Sequence, residues 1–459
     1  MNNNTEKKII PFTFIDLFAG LGGFHQALSS LGGRCVFASE LREDLQKLYK
    51  HNFPNVLIKG EIESVDIEND IPAHNVLCAG FPCQPFSKAG YQAGFNDKGR
   101  GNMFDYIIKI VQYHRPEYIL LENVANLKTH DKGKTWETIK QKLEDEQYVV
   151  YNQIISPHEF GYPQHRKRIY IVAIRKDLEK TEYNFPEPTH TVCDIHTIID
   201  EEDKDVQMIK KETRHQLDVW EEFLYHLKEN GHSLGGFPIW TMEFGATYDF
   251  EGTKPSLQSV EQLNGKRGKF GKIIHGTTIE ECLSQLPVYA RPHKREKAGE
   301  TEFPNWKKTY IRKNRAFYEE NKSWLKPWLK QIKDWENSHI KFEWNCGKNE
   351  KLTLEDKLIQ FRASGIRVKL TTFAPALNLV GTQIPILPWI KGVPKDDSRE
   401  ADRGRYLSIK EAARLQGMEN ISLRSQEFSL SNTRIYEALG NAVNVHIVKL
   451  IAEKFLPYE

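Results

Sequence analysis

The sequence predicts an α/β fold with a largely parallel sheet, and a second domain that is inserted into, or appended to, the first. From about residue 12 to residue 174, short apolar runs alternate with amphipathic helical stretches, which is the pattern of βαβ units. After about Asp177 this alternation stops, and as far as about Glu355 the chain mixes Gly- and Pro-rich loops, polar helical pieces and aromatic clusters. With 459 residues, the chain is long enough to form two domains.

The elements of the first part follow from these patterns in order. Runs rich in apolar and β-branched residues predict strands, and apolar residues at helical spacing predict helices. The predicted strands cover residues 12–17, 35–39, 75–79, 118–121 and 169–174, and the predicted helices cover residues 23–31, 41–52 and 103–113. The helical pattern returns near the end of the chain, over residues 408–418 and 433–455.

The composition excludes several classes of protein. No apolar run approaches the roughly 18 residues of a membrane helix, and residues 1–8 lack the hydrophobic segment of a secretion signal. The six cysteines include no Cys-x-x-Cys pair, which argues for reduced thiols in a cytoplasm and against a structural zinc. We therefore expect a cytoplasmic protein without a metal or a membrane partner.

Charge is informative only locally, because the formal net charge of the whole chain is +2. Residues 291–334 contain thirteen Lys or Arg and six Asp or Glu, interleaved with Phe303, Trp306, Tyr310, Phe317, Tyr318, Trp324 and Trp328. Basic and aromatic side chains together are typical of a nucleic-acid-binding surface. An amphipathic helical segment with core aromatics and solvated lysines would give the same composition. The sequence leaves both interpretations open.

A cysteine between prolines is the strongest candidate for chemistry. Cys83 lies in Gly80-Phe81-Pro82-Cys83-Gln84-Pro85-Phe86-Ser87, directly after an apolar strand. Two prolines stiffen the turn that carries the thiol, because each has a fixed φ and no N–H. Such a turn favours a nucleophile, although a lone cysteine is often an inert packing residue.

A Gly-rich turn and an acidic residue indicate a nucleoside cofactor. Residues 18–23 (Phe-Ala-Gly-Leu-Gly-Gly) follow the first strand and begin the first helix, where a backbone can approach a ligand closely. Glu40 follows the second strand, where its carboxylate could accept hydrogen bonds from ribose hydroxyls. The dinucleotide fingerprint G-x-G-x-x-G is absent.

Two further polar groups lie at predicted strand ends. Glu122 and Asn123 follow the strand at residues 118–121, and residues 164–168 (Gln-His-Arg-Lys-Arg) precede the strand at residues 169–174. The carboxyl edge of an open α/β sheet is where such folds bind ligands. Taken separately, Glu122 could be a helix N-terminal acid, and the arginines could be solvated surface.

Taken together, these segments resemble the C5-cytosine DNA methyltransferase family of the bacterial restriction-modification type. The resemblance is carried by residues 16–23, 80–87, 122–124 and 164–168, and near the C-terminus by residues 405–417 and 439–443. It implies a Rossmann-like S-adenosylmethionine-dependent methyltransferase sheet with a smaller target-recognition domain. The implied domains are residues 10–188 for catalysis and cofactor binding, 189–360 for target recognition, and 361–459 for the end of the recognition region and the C-terminal helices returning to the catalytic domain.

The resemblance also implies roles for particular residues. Cys83 would be the nucleophile that adds to C6 of a flipped cytosine, Glu122 would bond the N3 edge, and Asn123, Arg166 and Arg168 would position the base and stabilise developing charge. The implied S-adenosylmethionine site comprises Phe18, Gly20, Gly22, Gly23, Glu40, Glu61, Ile62, Pro82, Asn441 and Val443. The implied DNA contacts are Ser87, Arg100 and Arg168. Glu61 departs from the family pattern, which usually has Asp at this position.

The implied partners are double-stranded DNA and a cognate restriction endonuclease, with a monomeric, nucleoid-associated enzyme as the expectation. An RNA cytosine-5 methyltransferase is the nearest alternative, but that branch typically carries Pro-Pro-Cys and Cys-Phe-Thr, whereas this chain has Phe81-Pro82-Cys83 and no Cys-Phe-Thr. A catalytically silent DNA-binding relative would be expected to have lost Cys83 or Glu122, and both are present. The cysteine between prolines also argues against a Rossmann-type oxidoreductase.

Overall fold

A computed structural model describes residues 9–82, 103–292, 299–377, 383–391, 403–425 and 430–457. The chain forms two compact units. The first unit contains Met1–Asp205, Thr372–Gly381 and Ser408–Glu459, and the second contains Val206–Thr371 and Thr382–Leu407. The second unit is thus inserted into the sequence of the first.

The described strands and helices follow in chain order. The strands are β1 (Thr13–Leu17), β2 (Arg34–Ser39), β3 (Ile58–Lys59), β4 (Val76–Ala79), β5 (Tyr118–Val124), β6 (Tyr148–Ile155), β7 (Gln164–His165), β8 (Arg168–Arg175), β9 (Ile239–Trp240), β10 (Lys341–Asn345), β11 (Lys357–Arg362), β12 (Gly365–Leu370), β13 (Ala374–Pro375), β14 (Ile386–Lys391) and β15 (Arg403–Tyr406). The helices are α1 (Gly23–Ser29), α2 (Glu43–Asn52), α3 (Met103–His114), α4 (Lys134–Asp145), α5 (Lys211–Glu229), α6 (Val260–Leu263), α7 (Ile279–Ser284), α8 (Asn305–Glu320), α9 (Lys322–Trp328), α10 (Ile409–Leu415), α11 (Asn432–Asn441) and α12 (Val445–Phe455).

The first unit is built on a sheet whose described strands have the order β3-β2-β1-β4-β5-β8-β6. Its strands run parallel except at β8, which pairs antiparallel with both β5 and β6. All four residues of β4 are buried, as expected of a central strand covered on both faces. The predicted α/β fold with a Rossmann-like sheet is confirmed.

Helices cover both faces of this sheet. Because side chains alternate along a strand, Ile15 of β1 packs into one core with α3 and α4, and Phe14 packs into another with α1 and α12. Both side chains are fully buried. The carboxyl ends of β1, β4 and β5 lie between these two layers, at the edge where open α/β sheets bind ligands.

The second unit contains a sheet whose described strands have the order β15-β14-β11-β12-β10-β9. Helices α5, α8 and α9 share its hydrophobic core, which includes Trp220, Phe223, Trp328 and Phe342. The indole of Trp220 stacks on Phe342, with 4.6 Å between the ring centroids. No helix in the described ranges combines the length and the apolar character needed to cross a bilayer.

Two details differ from the elements predicted from the sequence. The predicted helix at residues 433–455 is two helices, because the chain is extended from Ala442 to Asn444 and the Asn444 side chain accepts the Ile447 N–H to begin α12. Strand β5 continues through Val124, whereas the sequence predicted an end at Leu121. Pairing with β8 as far as Val124 and Arg168 accounts for the extension, so Glu122 and Asn123 are strand residues.

Candidate functional site

The turn between β1 and α1 has a backbone suited to a close ligand. Phe18, Gly20 and Gly22 all have positive φ, at 57°, 54° and 75°, so the chain reverses sharply before α1 begins. The turn is anchored by the Ala19 N–H, which donates to the Ser39 carbonyl at 2.9 Å. A Cβ built on Gly20 would meet no described atom within 4 Å, so space lies beside the turn. This combination of a left-handed turn and open space fits a bound nucleoside.

Glu40 lies against this turn and is 8% exposed. Its Oε2 accepts the Gly20 N–H and its Oε1 accepts the Arg42 N–H, each at 2.9 Å. Burial raises the pKa of the Glu40 carboxyl, while the two backbone donors oppose that rise. The carboxylate therefore connects the end of β2 to the Gly-rich turn and remains close to the space beside Gly20.

The segment that joins α11 to α12 passes directly over the start of α1. A Cβ on Gly23 would come within 2.5 Å of the Val443 carbonyl oxygen, so only glycine permits this approach. The Val443 side chain is buried, and its Cγ2 would lie 3.3 Å from a Cβ on Gly80. Asn441, at the end of α11, is exposed. Val443 thus lies between the Gly-rich turn and the turn that follows β4.

A buried carboxylate and two arginines form the centre of the site. Glu122 is 6% exposed, and its Oε1 lies 3.0 Å from Arg168 Nε and 4.0 Å from Arg166 Nη2. A Cβ on Gly80 would lie 4.0 Å from Glu122 Oε2, which puts the carboxylate beside the turn after β4. Opposite charges compensate the burial of Glu122, whose loss of hydration would otherwise be costly.

Arg166 is committed to the backbone of the C-terminal segment. Its Nη1 donates to the Gly440 carbonyl at 2.7 Å, and its Nη2 donates to the Ala442 carbonyl at 2.9 Å. Its own N–H donates to Ser156 Oγ at 2.9 Å, and its side chain is 2% exposed. The guanidinium therefore joins the acidic centre to the segment that carries Asn441 and Val443.

Asn123 supports the turn that leads to the predicted nucleophile. Its Nδ2 donates to the Phe81 carbonyl at 3.3 Å, and its Oδ1 accepts the Val124 N–H at 2.8 Å. Asn123 is 1% exposed and Phe81 is 4% exposed. Cys83 lies outside the described residues, as do Ser87 and Arg100. The described backbone ends at Pro82, which is half-buried and follows the carbonyl that Asn123 binds.

The predicted site residues differ in their surroundings. One set surrounds the carboxyl ends of β1, β4 and β5, namely Phe18, Gly20, Gly22, Gly23, Glu40, Pro82, Glu122, Asn123, Arg166, Arg168 and Val443. Glu61 is exposed, and Ile62 is buried in the core against which Phe18 packs. No role was predicted for Asp16, although it begins the first motif.

Asp16 is fully buried at the end of β1. Its Oδ2 accepts the His25 N–H at 3.3 Å, and its Oδ1 has no hydrogen-bond partner among the described residues. Burial raises the pKa of Asp16 well above its usual value. This bond connects the end of β1 to the first turn of α1 and so supports the Gly-rich turn between them. An acid inside an otherwise apolar strand was the available signal.

The comparisons with known proteins all indicate the same family. The family model described as "C-5 cytosine-specific DNA methylase" matches residues 12–456. The chain is 43% identical over 203 residues to the type II methyltransferase M.HpaII of Haemophilus parainfluenzae, covering 44% of this chain and 55% of the relative. It is 42% identical over 183 residues to the type II methyltransferase M.HhaI of Haemophilus parahaemolyticus, covering 40% of this chain and 55% of the relative. The matches thus span about half the length of these curated relatives.

A solved structure resembles the chain over nearly its whole length. The methyltransferase EhMeth of Entamoeba histolytica matches with a TM-score of 0.50 and 15% identity, over 97% of this chain and 98% of the other. At this identity the likeness concerns the fold.

Proposed function

Because the chain belongs to the C-5 cytosine-specific DNA methylase family, we propose that it is a DNA (cytosine-5-)-methyltransferase that modifies a cytosine within a specific duplex sequence. One observation carries the proposal most directly. The buried carboxylate of Glu122 lies beside the turn after β4, paired with Arg168, and that turn leads within three residues to Cys83. An acid and a guanidinium at one sheet edge, with a cysteine three residues further along the chain from Gly80, suit covalent catalysis on a heterocycle.

The thiolate of Cys83 adds to C6 of the cytosine, forming an Sγ–C6 bond while the C5–C6 π electrons move into the ring and make C5 nucleophilic. Glu122 bonds the N3 edge, where negative charge builds, and Arg168 stabilises the charge and the position of the base. After methylation, a base removes the C5 proton, the electrons of that C–H bond form the C5–C6 double bond again, and the C6–Sγ bond breaks to release Cys83 as a thiolate. The same sulfur can thus both add and leave, which splits one difficult step into easier ones.

The methyl donor is S-adenosylmethionine, whose sulfonium supplies an electrophilic methyl group when it is bound. The open space beside Gly20 and the buried Glu40 carboxylate fit a nucleoside with ribose hydroxyls. Phe18, Gly22, Gly23, Glu61, Ile62, Pro82, Asn441 and Val443 are proposed to complete this site. Asp16 braces the turn, and Arg166 holds the Gly440–Ala442 backbone over it.

Cytosine in a stacked duplex does not expose C6, so the target nucleotide must leave the helix. Ser87 and Arg100 are proposed to contact DNA, and the second unit, with its basic segment at residues 291–334, is proposed to recognise the target sequence. We further propose a monomeric, cytoplasmic, nucleoid-associated enzyme that protects DNA from a cognate restriction endonuclease.

Bisulfite sequencing tests this proposal. Plasmid DNA is prepared from a methylation-free bacterial host that expresses the chain, and from a matched host that expresses Cys83→Ser. We expect protected cytosines at one fixed sequence in the first sample and full conversion in the second. Full conversion in both samples, with soluble protein present, would contradict DNA methylation and direct attention to RNA substrates or to a silent binder.

A further inference from the structure

Within the second unit, aromatic side chains surround a cavity of about 580 Å³. Its aromatic walls are Phe237, Trp240, Tyr289, Trp306, Tyr310 and Trp344. Trp306 and Tyr310 lie one turn apart on α8, so they share one face of that helix. The volume is within the range of small-molecule sites in proteins.

The aromatic walls contact one another edge to face and differ in how far they are exposed. Trp240 lies edge-on to Tyr310 at 87° and to Trp306 at 83°, with centroids 5.5 and 6.4 Å apart. Trp306 is 56% exposed, whereas Phe303, Tyr318 and Trp328 of the same basic segment are buried core residues. Core packing therefore accounts for much of this segment's aromatic content, but it does not account for Trp306.

Buried polar groups hold the walls in place. Asn314 is fully buried, and its Oδ1 accepts the Trp240 N–H at 2.7 Å while its Nδ2 donates to the carbonyls of Pro238 and Tyr310 at 3.0 and 2.9 Å. The Tyr289 hydroxyl donates to the fully buried carboxylate of Glu243. Walls that are ordered before binding lose less entropy when a ligand is bound.

The charges of the cavity select the ligand. Lys307 and Lys341 line it, with the Lys341 ammonium 5.8 Å from the Tyr289 ring centroid. Glu343 also lines it, but its carboxylate pairs with Arg362 at 2.6 Å and Arg367 at 3.2 Å. Because the charge of Glu343 is balanced by the two arginines, the two lysines disfavour the cationic ligands that aromatic cages usually bind. They favour a planar neutral ring that carries a negative group.

We propose that this cavity binds an unstacked nucleobase of a DNA strand, stacked on the exposed ring of Trp306, with the flanking phosphate near Lys307 and Lys341. Aromatic stacking accepts any base, so the site adds affinity and strand distortion without reading sequence. This inference rests on the proposed function for the identity of the strand. It adds a second base-binding site, distinct from the one that contains Glu122.

Photocrosslinking tests the proposal. Oligonucleotides substituted with 5-iodouracil, single-stranded or with one unpaired iodouracil in a duplex, are irradiated with the full chain, and the adduct is mapped by mass spectrometry. We expect adducts at Trp306, Tyr310 or Trp240. Trp306→Ala should remove most of the adduct and raise the Kd for these oligonucleotides about 10-fold, and Trp306→Phe should restore much of the affinity.

Tyr225→Ala is the matched control, because Tyr225 is an exposed aromatic of the same unit, at 57% exposure. It should leave both adduct and Kd unchanged. Adducts confined to other sites, or a Trp306→Ala variant with the Kd of the unmodified chain, would overturn the proposal. Free nucleotides could instead quench tryptophan fluorescence in the unmodified chain, but not in Trp306→Ala, while no oligonucleotide adduct forms. That result would overturn the DNA strand as the ligand. Failure of methylation alone, seen by bisulfite sequencing, leaves these readouts intact, so the two proposals fail separately.

Discussion

The Arg166 guanidinium donates a 2.7 Å hydrogen bond to the carbonyl of Gly440, a residue that is 274 positions further along the chain. A second bond reaches the Ala442 carbonyl at 2.9 Å. These bonds hold the extended segment between α11 and α12 over the Gly-rich turn. Arg166 is therefore proposed to act on the cofactor site through backbone position, in addition to its nearness to Glu122.

Replacing this guanidinium should loosen the C-terminal segment. The planar guanidinium binds two carbonyl groups at once, and the lysine ammonium of Arg166→Lys can replace at most part of this arrangement. We therefore expect the free energy of unfolding to fall by about 2 kcal/mol and the Kd for S-adenosylmethionine to rise. Urea denaturation and calorimetric titration measure the two effects. Arg434→Lys is the control, since this exposed arginine forms surface ion pairs that contribute little. Equal stability of the two variants would exclude the anchoring role.

The thiol of Cys83 should be required for methyl transfer and dispensable for binding. Cys83→Ser is expected to abolish turnover, because a serine hydroxyl is a far weaker nucleophile at neutral pH, and to leave the cofactor Kd essentially unchanged. Transfer of a labelled methyl group to DNA measures turnover. Cys193→Ser is the matched thiol control, because a hydroxyl there can still donate to the His158 carbonyl. Retained turnover in Cys83→Ser would remove Cys83 from the nucleophile role.

Glu40 should control cofactor affinity before it affects chemistry. Glu40→Ala removes the acceptor for the Gly20 and Arg42 N–H groups and the proposed ribose contact, so we expect the Kd for S-adenosylmethionine to rise at least about 10-fold. Glu40→Gln keeps one acceptor oxygen and should weaken binding less. Because the Glu40 pKa is raised, affinity in the unmodified chain should fall as the solution is acidified through that raised pKa. An identical pH dependence in Glu40→Gln would contradict this assignment.

Asn123 should affect the rate more than the binding of DNA. Asn123→Ala removes the donor to the Phe81 carbonyl and frees the turn before Pro82 and Cys83. We expect kcat to fall about 10-fold with little change in KM for DNA, since one buried hydrogen bond is lost. Steady-state kinetics with duplex DNA separates the two constants. The exposed Asn69→Ala should have no effect, and a selective rise in KM for Asn123→Ala would favour a direct substrate contact.

Two buried histidines should make the fold sensitive to acid. Burial lowers the pKa of His25 and that of His74 to about 4. The unfolded chain binds these protons near pH 6.5 and the folded chain does so only near pH 4, so stability is present above pH 6.5 and is lost as the pH falls through this window. The loss approaches about 3 kcal/mol per histidine at pH 4.

Urea midpoints measured between pH 7 and pH 5 check this expectation. His74→Asn keeps an amide donor for the Pro72 carbonyl, which His74 Nδ1 contacts at 2.8 Å, and removes the ionisable ring. Its stability should decline less on acidification than that of the unmodified chain. The exposed His51→Asn should retain the full decline. A decline of the same size in His74→Asn would exclude His74 as one of its sources.

Apolar runs of alternating or continuous character are local signals, so the sequence predicted most strands of the first unit. Strand β6 and helix α4 were not among its predicted elements. Both carry a local signal, since Trp136, Ile139 and Leu143 of α4 recur at helical spacing and β6 is rich in Tyr, Val and Ile, so these two omissions do not reflect a missing pattern. The break between α11 and α12 was also missed, because Ala442 and Val443 are compatible with a helix by local propensity. The hydrogen bond from the Arg166 guanidinium to the Ala442 carbonyl, which is distant in the sequence, contributes to that break.

The α/β class, the family and the set of motif residues could be predicted from the sequence, since they depend on local composition and on short spacings. Three relationships are visible only in the folded chain: Arg166 binds the Gly440 and Ala442 carbonyls, Asn123 binds the Phe81 carbonyl, and Trp306 borders an aromatic cavity. These contacts join residues that are distant in the chain. Their formation depends on how strands and helices pack, and no local pattern in the sequence encodes that packing.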